Sequence, residues 1–247
     1  MTLPPPYTEL SLLESDLRNE GYAVLGAAAL CEWLSTDLAT LEPLHASWSR
    51  LPPDTYLRDG GRYRRRRHSC FIACGPELTE VPHRAHWQPV EYNALHGGLE
   101  RWFEPIEPAV IEQPVWSALL QRLAASCTVL KPQVDRWYVE AHQFRIDTTD
   151  GIGRPTPEGA HRDGVDFVAV MLVGRHGVKG GETRVFEARG PNGLRFTMSQ
   201  PWTLLLLDDE RVVHETTPIQ PVAEGGCRDT LVLTFRQGGF QGPAART

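Results

Sequence analysis

The chain has 247 residues, of which 41% are hydrophobic and 23% charged, enough apolar material for one substantial core and too much for a disordered chain. A formal net charge of -6 argues against a nucleic-acid binder, because neutralising phosphates takes a surplus of Lys and Arg on one face. No early apolar segment follows a basic start, so the sequence predicts neither a signal peptide nor a membrane span, but a cytoplasmic protein whose partners are small molecules or neutral proteins.

The elements are predicted in chain order as follows. Thr8 or Ser11 can cap a helix whose Leu10, Leu13 and Leu17 share a face, and Gly21 can end it in the left-handed conformation. A strand over 22–25 follows. A second helix then carries Leu30, Leu34, Leu38 and Leu41 on one stripe, with Pro43 marking its end. From Leu51 to Gly75 the prolines, glycines and arginines predict loop and strand. The cluster "RYRRRRHSC" (62–70) reads as a solvated strand face, or as arginines paired with the excess carboxylates, before it reads as a phosphate-binding patch. A third helix runs through 115–127, with Leu119, Leu123 and Cys127 aligned.

After Lys131-Pro132 the texture changes to strands separated by Gly, Pro and Asp turns. Candidates cover 134–146, 165–173, 182–188, 194–198, 202–207 and 230–236, the pattern of an antiparallel sandwich or jelly roll. The expectation is one α+β domain over 1–247 with a mainly β core: a helical part over about 1–130 and a jelly-roll core over about 131–240, sharing one interior. The five cysteines, Cys31, Cys70, Cys74, Cys127 and Cys227, are odd in number and irregularly spaced, which predicts reduced core thiols.

Chemistry concentrates in "PTPEGAHRDGVDFVAVMLV" (155–173), where His161 and Asp163 precede an apolar run. Residues two apart on a strand point to one side, so an imidazole and a carboxylate can meet at one point. His214, just past the strand in "WTLLLLDDERVVHETTP", is the natural third donor among nine histidines. Two histidines and one carboxylate on one face of an octahedron leave three adjacent positions open, which suits non-haem Fe(II) and oxygen. The bland alternative is polar residues at a strand end. In "GGCRDTLVLTFR" (225–236), Arg228 and Thr230 are again two apart. A guanidinium fork beside a hydroxyl is a good receptor for a carboxylate, unless Arg228 simply pairs with Asp229 or a nearby glutamate.

With these residues assembled, the sequence resembles the Fe(II)/2-oxoglutarate-dependent dioxygenases. More narrowly it resembles the bacterial group of free L-amino-acid hydroxylases such as L-isoleucine 4-hydroxylase, which includes a biofilm-associated homologue. The matching text is "YNALHGGLERWFEPI" (92–106), "HQFRI" (142–146), "PEGAHRDG" (157–164), "GGETRVF" (180–186), "HETTPI" (214–219) and "RDTLVLTF" (228–235). The resemblance implies a double-stranded β-helix, the cupin-type jelly roll, flanked by N-terminal helices. It implies His161, Asp163 and His214 as iron ligands, and Arg228 holding the distal carboxylate of 2-oxoglutarate with help from Thr230. Arg236, on the same strand face, is the lesser candidate for that anchor. The implied reaction consumes O2 and 2-oxoglutarate, releases succinate and CO2, and hydroxylates a small molecule, a free L-amino acid. Asp163 is a true carboxylate, which speaks against the halogenating branch.

For the substrate, Gln143 and Arg145 share a face of strand 134–146 and are expected to meet a carboxylate, while Glu158 is expected to meet an ammonium. "YNALHGG" with Arg101 is expected to form a lid or pocket wall. Two rivals use the same three ligands: a cupin-type zinc hydrolase or lyase, which needs no Arg228 near the metal, and a protein that binds iron or 2-oxoglutarate without turnover.

Overall fold

The N-terminal leucines fold as helices, with boundaries set by hydrogen bonds that the hydrophobic pattern does not show. The computed structural model describes residues 2–243. α1 (Leu13–Glu20) follows a 3-10 turn over Leu10–Leu12 and has no side-chain cap. Thr8 is not its cap; its hydroxyl instead accepts a bond from the N–H of Val24 (3.2 Å), in β1 (Tyr22–Leu25). Gly21 ends α1 at φ 80 as expected, and a Cβ there would stand 2.9 Å from Val212.

The single helix expected through Leu41 is two helices, α2 (Ala27–Leu34) and α3 (Leu38–His45). Ser35 turns left-handed at φ 52, and Asp37 accepts bonds from the N–H (2.9 Å) and hydroxyl (2.8 Å) of Thr40, so local capping wins over the leucine stripe. Leu38 is consequently exposed, and Pro43 lies inside α3 instead of ending it.

Next come β2 (Arg64–Cys74), β3 (Glu77–Glu80), α4 (Pro108–Ile111) and α5 (Pro114–Leu130), whose Pro114 occupies the first turn, where its missing N–H costs nothing. The remaining elements are strands: β4 (Arg136–Asp147), β5 (Phe167–His176), β6 (Val178–Gly180), β7 (Thr183–Glu187), β8 (Gly193–Phe196), β9 (Thr203–Asp208), β10 (Val212–Thr216), β11 (Ile219–Pro221) and β12 (Cys227–Arg236). The strand predicted over 22–25 is β1, and all six strands predicted after Lys131 are present, shifted by a few residues at their ends.

Seven strands pair antiparallel in the order β1-β9-β5-β12-β4-β2-β3, and two smaller sheets, β10-β7-β8 and β11-β6, complete a double-stranded β-helix. The large sheet is buried on both faces. Odd-numbered residues of β4 and β12, such as Trp137, Val139, Ala141, Leu231 and Leu233, pack under the helices with Trp48 and Trp116. Elsewhere on the opposite face, Val168, Leu172 and Leu205 meet Val185, Phe196 and Val212 of the small sheet. Each fully buried aliphatic or aromatic side chain contributes about 1.5–3 kcal/mol, so both layers hold the sheet. The even-numbered residues of β4 and β12 are left to line a cavity between the sheets. Among the described residues no helix is long and apolar enough to cross a membrane.

Candidate active site

His161 and Asp163 precede β5 and do not lie on a strand, so strand alternation is not what aligns them. His161 pairs with His214 of β10 through an isolated antiparallel bridge, with N–H to carbonyl distances of 3.0 and 2.9 Å. Asp209, fully buried, accepts the backbone N–H groups of Asp163 (2.9 Å), Gly164 (2.8 Å) and Val165 (3.1 Å) and fixes the turn between them. Gly164 has φ +74, and a Cβ there would meet the ring of Tyr92 at 2.4 Å, so only glycine lets that ring close over the loop.

The result is a convergence of donors. One carboxylate oxygen of Asp163 lies 3.8 Å from His161 Nε2 and the other 3.8 Å from His214 Nε2, and one donor atom from each residue lies within 4.8 Å of the others. His161 Nδ1 donates to the Gly159 carbonyl (3.0 Å), which leaves the Nε2 lone pair facing Asp163. Burial lowers the basicity of His161, but the Asp163 and Glu158 carboxylates outweigh it and raise its pKa. Burial and neighbouring His161 push His214 down to about 3, so it is neutral and able to donate a lone pair.

The same cavity is lined by Arg228 and Thr230 of β12, both nearly fully buried. Arg228 does not pair with Asp229. That acid points to the helix side, where Arg145 holds it at 2.8 and 2.7 Å and His45 approaches to 3.3 Å. Arg228 Nε and Nη2 have no partner. Burial, with Arg175 nearby, pulls the guanidinium down only to about 10, so it stays a cation. A buried, unpaired cation is costly, and an anion in the cavity would relieve it. Arg236 lines the cavity too, but its Nη1 donates to the Gly239 carbonyl (2.5 Å), and it stands eight positions beyond Arg228, roughly 26 Å along an extended strand.

Two expected substrate contacts lie elsewhere. Gln143 and Arg145 have the wrong parity: β4 turns Tyr138, Glu140, His142, Phe144 and Ile146 to the cavity. Gln143 is fully buried on the helix side, where it donates to Ser47 (2.8 Å), and Arg145 is committed to Asp229. Glu158 does line the cavity, 3.7 Å from His161 Nε2, with its Oε2 unpartnered.

Other cavity residues escaped the sequence reading. Gln88 donates to Asp163 Oδ1 (3.2 Å) and accepts at Oε1 from Asn93 (3.0 Å) and Arg101 (2.9 Å), which places the "YNALHGG" region and Arg101 in the wall. The arginine cluster is split by strand alternation. Arg65 and Arg67 pair outward with Asp147, Glu104 and Glu107, whereas Arg64 and Arg66 are buried in the cavity wall instead of forming a solvated face. Asp54 neutralises Arg64 (2.7 Å), and Arg66 lies between the rings of Phe103 and Phe144. Finally, His68, His86, Glu140 and His142 form a buried quartet; "YVEAHQF" carries its signal, since Glu140 and His142 are two apart just as His161 and Asp163 are.

A double-stranded β-helix whose cavity gathers two imidazoles, a carboxylate and an unpaired arginine has the architecture of an oxygen-activating, iron-dependent enzyme. The chain belongs to the 2OG-Fe dioxygenase family, whose model matches residues 45–234. It is therefore an Fe(II)/2-oxoglutarate-dependent dioxygenase, with iron, 2-oxoglutarate and O2 as its reaction partners. Among solved structures it is similar to a bsmA homologue from Methylobium petroleophilum PM1, at 54% identity, 98% coverage of both chains and a TM-score of 0.92. It shares its fold with IDO from Bacillus thuringiensis (15% identity, 97% and 100% coverage, TM-score 0.75). It also shares it with the Fe(II)/α-ketoglutarate-dependent dioxygenase TqaL (19% identity, 95% and 90% coverage, TM-score 0.71). No curated protein matches the chain by sequence.

Proposed function

We propose that His161, Asp163 and His214 hold the iron, that Arg228 and Thr230 hold the distal carboxylate of 2-oxoglutarate, and that the substrate is a free L-amino acid hydroxylated on its side chain. The observation that carries this reading is Arg228, buried and without a partner at Nε or Nη2, facing the same cavity as three convergent metal donors. A zinc hydrolase would have no use for that cation. The donor set fits iron: two imidazole nitrogens and one carboxylate, with three positions left for the co-substrate and oxygen.

When bound, iron and 2-oxoglutarate supply the oxidative decarboxylation, yielding succinate and CO2, that drives oxygen into a C–H bond. The chain's own contribution is placement. The Gly159 carbonyl fixes the tautomer of His161, Asp209 fixes the loop that carries Asp163, and Gln88 restrains the Asp163 carboxylate. Val170 and Val232, between Arg228 and the far end of β12, give the cavity an apolar wall that excludes water. Substrate selection falls to the neighbouring strands β4 and β2 and the segment that carries Arg101. There Arg64 Nη2, Arg66 Nε and Arg101 Nε are buried and unpartnered beside the carboxylates of Glu140 and Glu158, so an anionic and a cationic group can be met within one cavity, as a zwitterion requires. All five thiols are unpaired, which fits the reducing cytoplasm.

Anaerobic addition of Fe(II) and 2-oxoglutarate is expected to produce a weak visible metal-to-ligand charge-transfer band, followed in air by succinate formation that a free amino acid stimulates. Folded, iron-loaded protein with no such band would refute the assignment of the three ligands and of Arg228.

A further inference from the structure

The quartet of His68, His86, Glu140 and His142 has the residue types of a second metal site, but its protons are in the wrong places. Arg66 Nη2 lies 2.8 Å from His142 Nδ1. A guanidinium only donates, so His142 Nδ1 must accept and its Nε2 must carry the hydrogen. That Nε2–H faces Glu140 Oε2 at 3.6 Å and has no lone pair to offer an ion. The rings of His68 and His142 are also stacked, with centroids 4.6 Å apart and planes inclined by 17°. Nearly parallel rings at that spacing cannot both aim in-plane lone pairs at one point about 2 Å away.

The three imidazoles instead gather around a single oxygen. His86 Nδ1 lies 2.6 Å from Glu140 Oε2, His68 Nε2 3.5 Å and His142 Nε2 3.6 Å. Despite burial, which works the other way, these neighbours hold the Glu140 carboxyl well below the usual carboxylate range, and burial lowers the imidazoles so that they are neutral. The group is therefore a fixed carboxylate. Its second oxygen, Oε1, is buried without a partner, and the residue lines the cavity. A buried anion with one bare edge is expensive unless a donor arrives. Thr234, directly across from Glu140 in the β4–β12 register, lines the cavity too and offers a hydroxyl acceptor beside it.

We propose that Glu140 Oε1, with Thr234 beside it, receives the primary ammonium group of the substrate, and that His68, His86 and His142 are positioning residues that hold the carboxylate for it. This rests on the free-amino-acid reading above and replaces Glu158 as the ammonium partner. His86, which touches Glu140, and Gln88, which touches Asp163, are two positions apart on one segment, and all four residues line the same cavity, so an amino acid held at Glu140 shares that cavity with Asp163. An ammonium at Glu158 would instead crowd His161, 3.7 Å away.

The test uses full-length protein loaded with Fe(II) and 2-oxoglutarate, with the twenty L-amino acids as probes and succinate release as readout. In the Glu140→Gln variant the charge-transfer band is expected to form, showing that metal and co-substrate still bind. The concentration of the best amino acid needed for half-maximal stimulation should rise at least about 30-fold. Wild-type protein should ignore the N-acetyl and α-hydroxy analogues of that amino acid, a measurement that needs no variant to fold. The proposal is overturned if Glu140→Gln shifts the half-maximal concentration less than threefold, or if Glu158→Gln shifts it more than Glu140→Gln does. It is also overturned if the analogues stimulate as well as the parent, if no amino acid stimulates wild-type protein that shows the band, or if iron-saturated protein takes up one further zinc that His68→Ala cannot hold. Absence of the band in wild-type protein would instead strike the reading beneath it.

Discussion

Two clusters of histidine and acid face one cavity, and both bring their polar atoms together closely enough to suggest an ion. In the first, His161 spends its Nδ1 proton on a backbone carbonyl and turns a lone pair inward. In the second, a guanidinium occupies the outer nitrogen of His142 and turns a proton inward, onto Glu140. On the proposed reading the same residue types would make a cation site in one place and an anion clamp in the other, with the partner of the distal imidazole nitrogen deciding which. Distance alone would have scored them alike.

The largest effect that can break this comparison comes from the first cluster. Asp163→Ala should reduce amino-acid-stimulated succinate release to background while the thermal unfolding curve stays cooperative; residual turnover above a few per cent would remove Asp163 from the ligand set. Next, Arg228→Met should raise the half-saturating 2-oxoglutarate concentration about 30- to 1000-fold, read from the charge-transfer band during titration. An equal loss in affinity for the amino acid would mean that Arg228 does not serve the co-substrate alone. A smaller change belongs to Gln88→Leu, which should weaken Fe(II) affinity about 10- to 100-fold by freeing the Asp163 carboxylate, measured by competition with a chelator. The smallest functional change should come from Arg145→Ala, on the helix side of β4. It should cost about 1–3 kcal/mol in urea unfolding, because Asp229 loses two charge-assisted bonds, yet shift the half-saturating amino-acid concentration less than threefold.

What could be read in advance followed local periodicity. Six of the nine strands after Lys131, and the pair Arg228-x-Thr230, are visible because a period of two survives in sequence; His161-x-Asp163 is visible only as a polar interruption before an apolar run, since a bridge to His214 and the Asp209 turn, not strand alternation, align it. The sidedness of β4 is not visible in that way. Both faces of the strand are buried, so Gln143 and Arg145 look like cavity residues but are tied to Ser47 and Asp229 under the helices. The break at Ser35 depends on a capping bond from Asp37 that competes with an unbroken leucine stripe. The second cluster was hidden by register. His68 becomes the neighbour of His142 only when β2 pairs with β4, and His86 arrives from a segment with almost no regular structure. Glu140 and His142, two apart on β4, were the one local clue.

Gln88, together with the Tyr92 ring over Gly164, ties the turn bearing Asp163 to the irregular segment that, through Asn93 and Arg101, forms a wall of the cavity. Whatever steadies Asp163 should steady that wall, and by reciprocity an ordered wall should favour the placement of Asp163. Loading the protein with Fe(II) should therefore slow protease nicking between His83 and Glu104. The enzyme would then carry, in one amide and one aromatic ring, a linkage between metallation and the order of its cavity wall.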